Sequence, residues 1–225
     1  MQHVFFGHDE RVEAGTTAFL RSAIAHSTGA LALTPITRNN MRDVKEGSNA
    51  FTFRRFLVPW MLGFRGWAVF VDGADMLCRA DLGDLFDLIH YRDAVRVVKH
   101  DYQTAHHRKY RGTPMECDNI DYSRKNWASV MLVNCEHFAW RNVTPEFLEK
   151  ANPLATLQLR FIPDEFIGSL PKEWNWLCDE HGTNPDAKLL HFTAGIPAFA
   201  AHADAPMADE WRASLAAAYN ATGAS

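Results

Sequence analysis

The run Trp67-Ala68-Val69-Phe70-Val71 is apolar at every position and stops abruptly at Asp72-Gly73-Ala74-Asp75. Five consecutive apolar residues have the length of a strand. A strand apolar on both sides of its pleat must be covered on both faces. Such a strand belongs in the middle of a sheet with helices packed above and below, which is the α/β arrangement.

The rest of the chain can be read around that strand. Val4–Phe6, stopped by Gly7, reads as a first strand, and Leu31–Ile36 as a second, broken at Pro35. Ala94–Val98, Val130–Val133 and Lys188–Phe192 are further strand candidates. Between them, Val12, Phe19, Ala23 and Ile24 fall mostly at helical spacing over residues 11–27. Phe53, Phe56, Leu57, Trp60 and Met61 mark one face of a helix, which Pro59 must kink or shorten. Leu82, Leu85, Phe86 and Ile89 predict another, and Trp211–Tyr219 a last one. Strands alternating with helices predict a Rossmann-like α/β fold with a mostly parallel central sheet. No shift in composition divides the chain, so residues 1–225 are expected to form one domain. The polar stretch His100–Asn126 is long for a plain connection and suits a functional loop.

Charge and composition exclude several classes. With 47% hydrophobic residues in 225, the chain can bury a sizeable core. A net charge of −4 and a pI near 6.2 do not suit a dedicated nucleic-acid binder. No apolar run approaches the ~20 residues that span a bilayer, and the segment before Gly7 is too short for a secretory signal core. The expectation is a soluble, cytoplasmic protein without a transmembrane segment. Cys78, Cys117, Cys135 and Cys178 are scattered, with no Cys-x-x-Cys pair, and read as buried thiols.

In open α/β sheets, ligands bind beyond the carboxyl ends of the strands. Asp9 follows the first strand, Asp72 and Asp75 follow the apolar strand, and His191 ends the last. Two carboxylates and an imidazole make an oxygen/nitrogen set that suits Mn²⁺ or Mg²⁺ better than structural zinc. Each aspartate alone would equally serve as a helix N-cap or turn residue. The metal reading rests on two acids in one short turn directly after the most apolar strand.

Several segments, taken in order, resemble the GT-A glycosyltransferases, specifically the retaining family-eight type and its bacterial and phage relatives. Val4-Phe5-Phe6-Gly7-His8-Asp9 is similar to the family's first strand and nucleoside-binding turn. The helical segment around Arg54-Arg55 is similar to the one whose Arg lies near the nucleotide, with Arg55 the better match. Phe70-Val71-Asp72-Gly73-Ala74-Asp75 looks like the metal-binding Asp-x-Asp strand end, and Asp81–Phe86 like the helix that follows it. Asn126–Asn134 resembles the segment near the donor sugar, which implies sugar contacts from Asn126 and Ser129. Pro163-Asp164-Glu165-Phe166-Ile167 resembles the Asp-Gln segment, making Asp164 and Glu165 the candidate acids on the sugar face. Their other reading is a helix start, which favours acids in its first turn. Leu190-His191-Phe192-Thr193-Ala194-Gly195 resembles the terminal His-aromatic-x-Gly, whose His completes the metal site.

The chain departs from the pattern in three places. Its aspartates are separated by two residues where the family has one. Trp127 stands where the sugar-contacting Asn would align, one place after Asn126. The family's Lys after the terminal Gly is replaced by Ile196-Pro197-Ala198-Phe199, leaving Arg55, Lys99 and Lys172 as candidate diphosphate cations. The resemblance implies a metal-dependent, hexosyltransferase-like enzyme. It would move a sugar from a nucleotide-sugar, a UDP-sugar foremost, to a carbohydrate or other hydroxyl acceptor, with retention. Its donor site would use Gly7, His8, Asp9, Arg55, Asp72, Lys99, Asn126, Ser129 and Gly195. The alternatives are a catalytically inactive nucleotide- or carbohydrate-binding relative and a sugar nucleotidyltransferase. The latter usually has a Gly-rich basic loop after its first strand, whereas Gly7-His8-Asp9-Glu10-Arg11 has one Gly and two acids.

Overall fold

The computed structural model describes residues 1–39, 44–45 and 47–220. Its strands are β1 (Gln2–Gly7), β2 (Leu31–Ile36), β3 (Trp67–Val71), β4 (Met76–Cys78), β5 (Val95–Val97), β6 (Arg108–Lys109), β7 (Cys117–Asp118), β8 (Val130–Asn134), β9 (Ile167–Ser169), β10 (Trp176–Leu177) and β11 (Leu189–His191). Six of them form the main sheet in the order β2-β1-β3-β8-β5-β9. All neighbours there are parallel except β8, which runs antiparallel to both β3 and β5. The expected mostly parallel α/β sheet is present.

The apolar run is β3, and it lies inside the sheet between β1 and β8. Ala68 and Phe70 enter the core on one face, and Val69 and Val71 on the other. This is why the run shows no polar alternation. Pro35 does not break β2. The strand is the sheet's edge, where a missing N–H removes no ladder bond. Pro59 likewise opens a short α-helix, Val58–Met61, after the 3₁₀ turn Arg54–Leu57, a place where its absent N–H costs nothing. The helix Glu13–His26 covers one face through Phe19 and Ala23 and packs against the last helix, Ala208–Asn220.

One expectation needs correcting. β11 is not part of the main sheet. It pairs antiparallel with β4 and parallel with β10 in a separate three-stranded sheet. The pairing puts His191 opposite Met76, the residue after Asp75.

Candidate metal centre and nucleotide cavity

Asp72 and Asp75 are carried by a tight backbone turn. Gly73 has φ +65°, a conformation that suits glycine, and an added Cβ would lie 3.0 Å from the Gly7 carbonyl. Ala74 N–H donates to Asp72 O at 2.7 Å, and Met76 N–H to Gly73 O at 3.0 Å. From beneath, Gly15 of the first helix approaches so closely that a Cβ there would sit 1.8 Å from Ala74 O. The two residues between the aspartates are therefore a tight turn against β1 and the first helix, and both acids stay on the same side. Because β8 runs antiparallel, it begins where β3 ends, and Asp72 N–H donates to Ser129 O at 2.9 Å.

The second sheet brings in His191, and Phe192 N–H donates to Asp75 O at 2.9 Å. Asp72, Asp75 and His191 are all buried, with ligand atoms within 4.8 Å of one another. His191 Nε2 lies 3.5 Å from Asp75 Oδ1 and 3.9 Å from Asp72 Oδ2. The other ring nitrogen, Nδ1, is 2.9 Å from Asn175 Oδ1. A carbonyl oxygen there only accepts, so Nδ1 carries a proton and Nε2 is turned toward the carboxylates, where it would give its lone pair to a bound ion.

Two buried atoms test whether a cation fits. Asp72 Oδ1 and Asp75 Oδ1 accept no hydrogen bond. Arg55 Nη1 comes within 2.5 Å of Asp72 Oδ1, but off the hydrogen-bonding direction. A buried carboxylate oxygen without a partner is costly. A divalent cation held between Asp72, Asp75 and His191 would supply one. Burial pushes Asp72 up to about 6, against the pull of Arg55. For Asp75, burial acts in the same upward sense, but the charge and hydrogen bond of His191 outweigh it and hold the carboxyl below its usual range.

The cavity over this trio is also lined by Arg55, Lys109, Tyr110, Tyr122, Asn126 and Ser129. Arg55 is braced, with its guanidinium 5.3 Å from the Phe51 ring centroid and 5.2 Å from that of Phe70. It donates to the carbonyls of Thr52 and Ala128, both at 2.9 Å. Asn126 adopts φ +61°, which asparagine tolerates better than most residues. Its amide donates to Tyr102 Oη at 2.8 Å, and its carbonyl accepts from Asn175 at 3.1 Å. The enclosed space is about 80 Å³. That holds a hydrated ion, at ~30 Å³ per water. At Tyr122 it adjoins a second cavity of about 320 Å³ containing His100, Tyr102 and Arg124.

Other expected site residues lie elsewhere. The Asp9 carboxylate is occupied by Arg11 and by Ala50 N–H, the latter at 2.9 Å. Burial would raise its pKa, but these bonds outweigh it and hold the carboxyl low. His8 bonds Thr16 at 3.0 Å, and with Asp9 lines a neighbouring cavity that includes Thr37 and Arg38. Gly7 is a close-approach site, because a Cβ there would meet the Phe51 ring at 2.4 Å. Gly195 packs against the His202 ring, outside the cavity. Lys99 stands over Trp127 and Lys172 over Trp176, and both border a different cavity. Asp164 and Glu165 do not reach the cavity either. Pro163 directs them outward as the first turn of a 3₁₀ helix. Asp164 is 75% exposed, and both of its oxygens are 2.6 Å from Arg124 Nη2.

Lys109, Asn175, Tyr110 and Tyr122 were not singled out as site residues from the sequence. Lys109 sits in the basic run Lys99–Arg111, whose charge suits an anionic donor or acceptor without saying which cation faces the site, and Asn175 sits in Trp174-Asn175-Trp176, which resembles the family's Asn after Leu-Pro. Nothing in the sequence marks Tyr110 or Tyr122.

No protein-family model matches the chain. A curated relative, Protein CDI of Arabidopsis thaliana, is 33% identical over 229 residues, covering 92% of this chain and 83% of its own. The chain belongs to the CDI family. Solved structures give this CDI-family chain its fold class. The bifunctional glycosyltransferase WbbM superposes with a TM-score of 0.68 at 14% identity, over 96% of this chain and 49% of its own. Glycosyltransferase GlyE of Streptococcus pneumoniae TIGR4 gives 0.62 at 14% identity, over 96% of this chain and 61% of its own. The galactosyltransferase LgtC, solved with donor and acceptor sugar analogs, gives 0.63 at 13% identity, over 96% of both chains. The chain thus spans about half the length of WbbM and three-fifths of GlyE. The fold is that of the GT-A glycosyltransferases, in keeping with the ordered resemblance of the segments.

Proposed function

We propose that this protein is a metal-dependent glycosyltransferase that takes its sugar from a nucleotide-sugar, a UDP-sugar foremost, and passes it to a hydroxyl acceptor. The observation that carries this is the buried Asp72–Asp75–His191 group with two carboxylate oxygens that accept no hydrogen bond, set at strand ends of a GT-A fold. Those three residues would hold Mn²⁺ or Mg²⁺. The bound ion would offset negative charge on the departing diphosphate.

The chain's own residues do the rest. Asn175 fixes the His191 ring, and the paired aromatic faces of Phe51 and Phe70 fix the Arg55 guanidinium beside Asp72. Arg55 thereby sets Asp72 in place and brings a positive charge to the cavity without needing to reorganise. Asn126 and Ser129 border the space where the donor sugar would lie, and the 320 Å³ cavity past Tyr122 takes the bulk that the small one cannot. Retention of anomeric configuration rests on likeness to the family-eight type, and a cytoplasmic location on the sequence reading. Among the described residues, no helix is long and apolar enough to cross a membrane.

One observation favours an inactive binding relative, namely that Asp164 and Glu165 lie outside the cavity. Turnover separates the two readings. Incubation with UDP-, GDP- and CDP-sugars and Mn²⁺ should release nucleoside diphosphate slowly, by hydrolysis, from one donor, and chelation should stop it. Metal-dependent binding without any release would favour the inactive relative.

A further inference from the structure

The polar stretch between β5 and β8 is not a bare connection. It contains a two-stranded hairpin, β6–β7, docked onto the segment that follows His191. Tyr110 N–H donates to Ala194 O at 2.6 Å, and Arg111 N–H donates to His202 Nε2 at 3.2 Å. Arg108, on the outer side, is paired with Glu116 and Asp118. The next residue, Lys109, lines the cavity with Asp72, Asp75 and His191.

We propose that Lys109 is the cation that binds the diphosphate of the nucleotide-sugar, delivered by the β6–β7 hairpin instead of by the chain after Gly195. This rests on the donor reading given above. Among the described residues, the other candidate cations are engaged or face elsewhere. Arg55 is bonded to two carbonyls and beside Asp72. Arg124 holds Asp164 and Lys125 holds Asp121. Lys99 and Lys172 border another cavity. Among the described residues, Lys109 Nζ has no hydrogen bond or ion pair, although its charge acts on Asp75 and Asp72.

Charge balance points the same way. Two carboxylates and Arg55 around a divalent ion leave one surplus positive charge, and Lys109 makes it two. The diphosphate of a nucleotide-sugar carries two negative charges. Burial lowers the pKa of the Lys109 ammonium, and the carboxylates act to raise it. An arriving diphosphate adds to the second effect.

The test is calorimetric titration of the full chain and its Lys109→Met and Lys109→Arg variants with Mn²⁺ alone, then with UDP, GDP and CDP at saturating Mn²⁺. A lost charge-assisted hydrogen bond is worth about 1.5–3 kcal/mol. Lys109→Met should therefore weaken the best nucleoside diphosphate about 10–100-fold. Mn²⁺ alone should bind that variant as tightly or tighter, because a positive neighbour has gone. Lys109→Arg should restore part of the nucleotide affinity. A misfolded variant would lose Mn²⁺ and nucleotide together, and that result overturns the proposal. So does a Lys109→Met protein that binds nucleotide like the parent, which leaves the donor reading standing. A parent chain that binds none of the nucleotides removes both.

Discussion

Asn175 decides which nitrogen of His191 faces the carboxylates. It is fully buried, its side-chain carbonyl accepts a hydrogen bond from His191 Nδ1–H, and its amide donates to Asn126 O. Removing such an outer partner typically costs a metal site 10–100-fold in affinity. Asn175→Ala should therefore bind Mn²⁺ about 10–100-fold more weakly by calorimetry, and affinity unchanged within twofold would show that Asn175 only fills space. At this scale the sequence was informative where chemistry follows topology. Asp72, Asp75 and His191 each end or follow a strand, and they converge. It was misleading where a local start signal competes with a site. Asp164 and Glu165 obey the helix-start reading after Pro163 and face outward. Lys109 and Asn175 were hidden for a different reason. Their places depend on a hairpin and a second sheet built from two- and three-residue strands, too short to leave a periodic pattern.

At the scale of elements, the feature to explain is the tolerated Asp-x-x-Asp spacing. The extra residue is absorbed because Gly73 turns with φ +65° and Gly15 lets the first helix come up to the turn. In a free helix Gly→Ala would stabilise, by about 1 kcal/mol. Here the new Cβ would meet a carbonyl oxygen at 1.8 Å, and neither helix nor turn can yield cheaply. Gly15→Ala should lower the unfolding free energy by about 1–3 kcal/mol in urea titration, and weaken Mn²⁺ binding with it. A more stable Gly15→Ala protein would show that the contact does not define the turn. The β3 strand was legible because burial on both faces leaves an unbroken apolar run. The place of β11 in a separate sheet was not, since an apolar run shows burial but not its partner.

Across the whole molecule, burial sets one common titration behaviour. His100, His137, His181 and His202 all have lowered pKa values, each chiefly because burial disfavours the imidazolium, and His100 falls to about 3. In the unfolded chain these rings take up protons as pH drops through about 6.5. The folded protein then binds fewer protons than the unfolded one, so stability is full above that pH and declines as pH falls toward the folded values. Each such group adds a slope of at most about 1.4 kcal/mol per pH unit. Urea unfolding between pH 7 and 5 should show that loss, and His100→Phe should reduce it. Asp72, raised to about 6, acts in the opposite sense, so the decisive result is the difference from His100→Phe, and a slope that this variant leaves unchanged would mean that His100 is protonated in the native state. On the proposed function, the buried trio binds a metal, and through it a nucleotide. The most direct measurement is calorimetric titration of UDP, GDP and CDP into the protein with and without Mn²⁺, repeated with Asp75→Ala. One nucleotide should bind only with Mn²⁺ present, and Asp75→Ala should abolish this binding. Nucleotide binding indifferent to both the metal and the substitution would contradict it.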